Sequence, residues 1–328
     1  MNSFPALSSI LCPQYLAKWT ETVYALSAYP HTRILKTGIN HNYAIETNDK
    51  KYVLRVYFKN WKTKKEIQEE LNLLNFLDEN NISVSHPIKD LKNNYIQEIN
   101  APEGTRYAVL FSYANGVNIK NPCVNICRLL GKSMAKMHVL TLNRSISRKN
   151  YHADTLVGWA YDISKSFFPE SNPEMEYFNR AKKLISEKFG KADSNQLRHG
   201  IVHLDLWYDN MAVKNESEIT FFDFDNAGNG YLFLDIGYSL MLIFKNEPDK
   251  EIFEEKMAAF YKGYETIAKI SDEEKQLMPY AGLAIWLHYT GIHVERFNDF
   301  TNHFLSKDFL RFWISTVNEW MKFNKISI

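Results

Sequence analysis

The order of hydrophobic patterns along this chain predicts an α+β fold in two lobes: a small lobe built on an antiparallel sheet, then a larger, mainly helical lobe. Three observations carry that expectation. The first third of the sequence alternates short β-branched and aromatic runs with turn signals, the mark of hairpins. Beyond Gly116 the apolar residues recur at helical spacing instead. A length of 328 residues is also enough to bury two cores. The change of pattern at Tyr113 places the lobes at residues 1–112 and 113–328.

In the small lobe, Tyr15 to Ala28 reads as a helix packed on the sheet. Arg33–Leu35, Asn42–Thr47 and Tyr52–Tyr57 read as strands, the last two joined by the turn formers Asn48 and Asp49. Thr37 to Asn42 carries one glycine, Gly38, so it is a weak phosphate-loop signal; most such segments are plain hairpin turns. Arg55 sits inside an apolar strand, where a cation needs a partner or an exit to solvent. The following helix, Lys64 to Asp78, sets Ile67, Leu71, Leu74 and Leu77 at helical spacing and carries Glu69 and Glu70. Glu70 is the candidate partner for Arg55. The alternative is an edge-strand arginine beside a solvated helix face. Tyr107 to Tyr113 reads as a buried strand against which an adenine base can lie, using exposed backbone around Phe111 and Tyr113.

In the large lobe, Val124 to Leu140 is an amphipathic helix ending in Met134–His138, with His138 read as structural. Tyr177 to Phe189 reads as a helix that Gly190 is placed to end. Tyr231 to Phe244 is apolar around Asp235; a carboxylate there is costly unless hydrogen-bonded, so it either caps a helix or braces a loop. Glu251 to Ile267 puts Ile252, Phe253, Met257, Phe260, Tyr261 and Tyr264 on a core stripe. Tyr280 to Phe297 carries His288, His293 and Arg296. These either line an acceptor pocket or form the polar ends of a packed helix.

The chemistry concentrates in His203–Asn210 and Phe222–Asp225. Apolar Asn210–Val213, a polar turn at Lys214–Glu218 and the β-branched and aromatic run Ile219–Phe222 read as a hairpin. Such a hairpin brings Asn210 beside Asp223. Phosphoryl transfer needs a hydroxyl held in line with the donor and metal ions to neutralise phosphate charge. Asp205 can accept the hydroxyl proton, while Asn210 and Asp223 offer oxygen to magnesium, a hard cation. Either half alone reads as a silent hairpin with solvated turn residues; the two together read as a catalytic site. Trp207 and Tyr208, placed near Asp205 by the loop itself, are candidate acceptor contacts.

Composition removes several alternatives. The formal net charge of +1 leaves no nucleic-acid or membrane footprint. With apolar residues at 45%, the chain is expected to be globular rather than disordered. Cys12, Cys123 and Cys127 make neither a disulfide framework nor a zinc site, and Cys123 and Cys127 read as two buried thiols. No segment has the length of a membrane helix, and Met1–Cys12 lacks the order of a secretory signal, so a cytoplasmic location is expected. There is no G-x-x-x-x-G-K-[ST] loop, so any nucleotide must use another phosphate cradle.

With these residues in view, the chain resembles the aminoglycoside phosphotransferase and choline kinase superfamily, which has the protein-kinase-like fold. Within it, the chain is most similar to the bacterial stress-response Ser/Thr kinases and the type II homoserine kinases. The similarity runs over nearly the whole length. It includes the Asn42 strand, Tyr52–Tyr57, the Glu70 helix, the Gly131–His138 helix end, the catalytic segment, Asp223–Gly230 and the aromatic helix around Trp286–Phe297. The resemblance implies Asp205 as base, Asn210 and Asp223 as magnesium ligands and Asp225 as a further acidic residue near the metal. It implies Arg55 where many members have a phosphate-contacting lysine, with Glu70 as its partner. The sequence departs from the family at Leu204, where glycine is usual, at Trp207 and Asp209, and at Arg55, since arginine and lysine are not interchangeable at a phosphate.

The resulting expectation is a kinase using ATP and Mg2+, lying between the lobes, and a hydroxyl-bearing small molecule as acceptor. A protein Ser/Thr acceptor comes second, because no Ala-Pro-Glu activation segment follows Asp225. A nucleotide-binding pseudokinase is the reading from a different class; Asp205, Asn210 and Asp223 stand against it.

Overall fold

The computed structural model describes residues 4–27, 32–297 and 304–328, so Ala28, the expected end of the first helix, lies outside the described residues. The chain divides into two compact units, Met1–Ala114 and Asn115–Ile328. The α+β architecture expected from the sequence is present: an antiparallel sheet dominates the first unit and helices the second.

The first unit opens with α1 (Pro13–Tyr24), which starts on a proline at its first turn and stops where Ala25 turns left-handed. The strands are β1 (Arg33–Thr37), β2 (His41–Glu46), β3 (Lys51–Val56), β4 (Pro87–Ile88), β5 (Ile96–Ala101) and β6 (Gly104–Ser112). They order as β1-β2-β3-β6-β4, with β5 also on β6. The core joins Leu16 and Tyr24 of α1 to Tyr43, Ile45, Leu54, Val56, Ala108 and Leu110 of the sheet. α2 (Lys64–Glu79) begins at a reciprocal capping box between Thr63 and Glu66. That start fixes the helix phase, and Glu70 falls on the buried face with Ile67, Leu71, Leu74 and Leu77.

Two details differ from expectation. β4 and β5 were not read from the sequence: β4 is only two residues long, and β5 has adjacent polar residues, Gln97 and Glu98, that break a strict alternation. As a result β6 is an interior strand, with β3 on one side and β4 and β5 on the other. The exposed backbone expected around Phe111 is therefore paired through Ser112, whose amide donates to the His86 carbonyl at 2.8 Å.

The second unit contains α3 (Val124–Thr141), β7 (Asn150–Tyr151), α4 (Trp159–Ser164), α5 (Pro173–Lys191), β8 (His199–Val202), β9 (Met211–Lys214), β10 (Glu218–Phe221), β11 (Gly228–Tyr231), α6 (Phe233–Asn246), α7 (Lys250–Glu265), α8 (Asp272–Glu295) and α9 (Lys307–Phe323). α3 and α7 meet at two glycines. A Cβ on Gly131 would lie 2.1 Å from the Phe260 carbonyl oxygen, and one on Gly263 would lie 1.9 Å from that of Arg128. α8 starts at a capping box between Ser271 and Glu274, and Glu274 also takes a forked ion pair from Arg198, just before β8. No helix among the described residues is long and apolar enough to cross a membrane.

Local expectations are corrected here too. α5 runs through Gly190 and ends one residue later, at Lys191. Cys123 is exposed at the start of α3, and only Cys127 is buried, which pushes its thiol up to about 12. Ile252 is 41% exposed and leaves the α7 stripe to Phe253, Phe260 and Tyr264.

Candidate active site

In the first unit the site residues gather on β2, β3 and α2. β2 and β3 pair Asn42 directly opposite Arg55. Arg55 donates from Nη1 to Glu70 Oε1 at 3.0 Å and from Nε to Asn42 Oδ1 at 3.4 Å. Its guanidinium lies 5.2 Å from the centre of the Phe111 ring. Glu70 is fully buried, and its second oxygen accepts from the Tyr57 hydroxyl at 3.3 Å. An ion pair this deep needs such added bonds, because desolvation costs each charge several kcal/mol, ~5 in order of magnitude. Tyr113 follows the last residue of β6.

In the second unit β8 delivers His203, Leu204 and Asp205 into a loop held from behind. Asp235, in the first turn of α6, accepts from the amides of His203 at 2.8 Å and Leu204 at 2.7 Å. His138 of α3 reaches the same carboxylate at 3.2 Å, and its other ring nitrogen bonds the Tyr264 hydroxyl at 2.8 Å. Asp235 is thus a loop brace and His138 a support for it. Leu204 has φ 67, the left-handed region in which glycine is comfortable, yet its side chain is fully buried.

His203 is buried, and burial pushes its pKa down, so the ring is neutral. Its Nδ1 accepts from the Asp205 amide at 3.3 Å, so its Nε2 carries the proton and donates to the Phe222 carbonyl at 3.1 Å. The imidazole therefore links the Asp205 loop to the residue before Asp223.

The hairpin of β9 and β10 pairs Met211 with Phe221, and the Phe222 amide donates to the Asn210 carbonyl at 3.0 Å. Asn210 and Asp223 thus stand at neighbouring ends of adjacent strands. Asn210 spends its amide nitrogen on Asp205, donating to Oδ2 at 2.8 Å and to the backbone carbonyl at 2.9 Å. The other end of that amide is a carbonyl oxygen, the atom a hard cation takes. Asp223 sits at φ 66, and Asp225 is 3% exposed. Arg148 donates to the backbone carbonyls of Phe224 and Asp225, fixing the loop between these carboxylates. Among the described residues no three His, Cys, Asp or Glu side chains form a metal cage. Two carboxylates and an amide suit magnesium, which keeps waters and takes its remaining oxygens from phosphates.

Trp207 and Tyr208 follow Asp205, with ring centres 4.7 Å apart. His288 is 1% exposed, its ring packed on Trp159 and Tyr151 and its Nδ1 against the Leu156 carbonyl, so it belongs to the core rather than to an open pocket wall. Arg296 is buried at the end of α8. The α8 residue that reaches Asp205 is Tyr289. Its hydroxyl bonds the Asp205 side chain and accepts from Asn226 Nδ2 at 3.2 Å, and burial holds its pKa well above 10. Sequence reasoning missed Tyr289, Asn226 and the bridging role of His203. Tyr289 is one residue of an aromatic helix and no spacing rule marks it; His203 opens the catalytic segment, but its bonds to the Asp205 amide and the Phe222 carbonyl exist only in the fold.

A model of the phosphotransferase enzyme family matches residues 31–270. A protein from Synechocystis described as uncharacterised is 29% identical over 303 residues, 90% of this chain and 81% of its own. A homoserine kinase from Methylobacillus glycogenes is 25% identical, covering 88% of this chain and 86% of its own. Among solved structures, an amicoumacin kinase bound to AMP-PNP, Ca2+ and its antibiotic superposes with a TM-score of 0.75 at 19% identity, over 94% of this chain and 93% of that one. A microcompartment-associated aminopropanol kinase gives 0.74 at 19% identity, over 94% and 95%.

Proposed function

The chain belongs to the phosphotransferase enzyme family and acts on a hydroxyl group, and from that premise we propose that it moves the γ-phosphoryl group of ATP to a small-molecule alcohol, with magnesium as the metal. The observation that carries this reading is the Asp205 carboxylate, oriented by Asn210 at one end of a hairpin whose other end carries Asp223.

Asp205 accepts the proton of the acceptor hydroxyl as the oxygen attacks phosphorus. Asn210, Asp223 and Asp225 would hold the magnesium, which when bound neutralises phosphate charge. Arg55, kept in place by Glu70, contacts the phosphates and stabilises charge on the transferring group. Relatives named as homoserine kinases and a fold neighbour named as an aminopropanol kinase make amino alcohols and hydroxy amino acids the first acceptors to test. A cytoplasmic location fits an ATP-dependent reaction.

The test is incubation with γ-labelled ATP, magnesium and a fractionated extract of the host, beside an Asp205→Asn control and an EDTA control. Label in a small-molecule fraction, lost in both controls, supports the reading. Label in protein redirects it to a Ser/Thr kinase. ATP binding with no Asp205-dependent label in any fraction overturns it in favour of a pseudokinase.

A further inference from the structure

We propose that Tyr289 is a positioning residue for this reaction: its hydroxyl ties the loop of the base to the loop that carries Asp223 and Asp225. The inference rests on the reading of Asp205 as base. Asp205 belongs to the segment after β8, whereas Asn226 follows Asp225 directly. The β9–β10 hairpin separates these two stretches, and in-line transfer requires a fixed distance between base and metal. Tyr289 comes from neither stretch but from the middle of α8, and its hydroxyl meets both.

A phenol can serve two partners at once. Its oxygen accepts from Asn226 Nδ2 while its proton is donated to the carboxylate of Asp205. The backbone of Asn226 is itself fixed, because its main-chain carbonyl accepts from the Tyr151 hydroxyl at 2.7 Å. The Tyr289 ring lies 5.9 Å from that of Tyr238, at an interplanar angle of 21°, which sets the direction of the hydroxyl. Asp205 thus receives one donor from Asn210 on Oδ2 and a second from Tyr289. Two donors on one carboxylate leave it little freedom to rotate away from an acceptor.

The experiment is steady-state transfer from MgATP to homoserine, or to the best acceptor in a panel of amino alcohols, or to water where none accepts. Tyr289→Phe keeps the ring and removes the bridge. The expected result is a fall in kcat of about ten- to a hundredfold, with KM for MgATP unchanged. In an Asp205→Asn background, Tyr289→Phe should cause no further fall, because it acts through Asp205. Unchanged kcat, or an equal further fall in that background, overturns the proposal. If Asp205→Asn itself leaves kcat intact, the base assignment fails instead. Should no acceptor turn over, urea unfolding of the two single variants and the double variant decides the contact. Coupled shifts support it, and additive shifts overturn it.

Discussion

Arg55 and Asp205 are each held in place by their neighbours, but by neighbours of different kinds. Arg55 is served by residues close in sequence, with Asn42 13 positions before it and Glu70 15 positions after it. Its setting is two adjacent strands and the next helix. Asp205 has Asn210 five positions away, but its loop also depends on distant residues. Its loop is braced by Asp235, 31 and 32 positions from the amides it holds, and Asp235 is met by His138 from 97 positions away. A local setting can be assembled by one supersecondary unit. The Asp205 setting forms only when α3, α6 and α8 are all in place. Its chemistry should therefore be more sensitive to changes far from the reacting atoms.

The largest effect expected is that of Asp205→Asn, which keeps the shape and removes the proposed base. Transfer should fall about a thousandfold, read by label transfer, while equilibrium ATP binding persists. Surviving transfer would break the comparison at its root. Asp235→Ala comes next. It strips the partner from two buried amides and from His138, so about 3 kcal/mol of stability should be lost in urea unfolding, together with activity. A stable but inactive variant would show that the brace holds geometry without contributing to the fold.

Leu204→Gly sets two effects against each other. Glycine removes the cost of a left-handed leucine, about 1–2 kcal/mol. It also removes a fully buried side chain, a loss of about 2–5 kcal/mol by analogy with leucine-to-alanine changes. Burial wins, so the variant should be about 2 kcal/mol less stable by urea unfolding yet still transfer phosphate. A more stable Leu204→Gly would show that strain, not burial, dominates this loop. The smallest effect is that of Arg55→Lys. The local pair with Glu70 persists, but the planar fork is lost, so KM for ATP should rise about tenfold in steady-state assays. An equal fall in kcat with unchanged KM would mean that Arg55 acts only in the transition state.

These differences also explain what the sequence could and could not reveal. Arg55 and Glu70 could be paired in advance because a cation in an apolar strand must find a carboxylate nearby. Asn210 and Asp223 could be brought together because hairpin pairing follows from alternation and a turn. The costly placement of Asp235 in an apolar helix was visible, but not which amides it serves. Tyr289 gave no sign, because a tyrosine within an aromatic helix looks alike whether it faces core or carboxylate. His288, its neighbour, was the more conspicuous residue chemically and lies inside the core. β5 escaped because half its residues are polar and only partly covered. The elements proposed to do chemistry were legible from residue type; those that hold them depend on tertiary neighbours.

The glycine seam between α3 and α7 carries this dependence outward. Gly131 and Gly263 let two backbones touch where any side chain would force them apart. The same two helices carry His138 and Tyr264, the pair behind the Asp235 brace. Helix spacing and loop position are therefore one mechanical linkage, with its fulcrum at the seam and its working end at Leu204. A single methyl group at Gly263 is far from the proposed chemistry, yet it would push on the lever that aims Asp205.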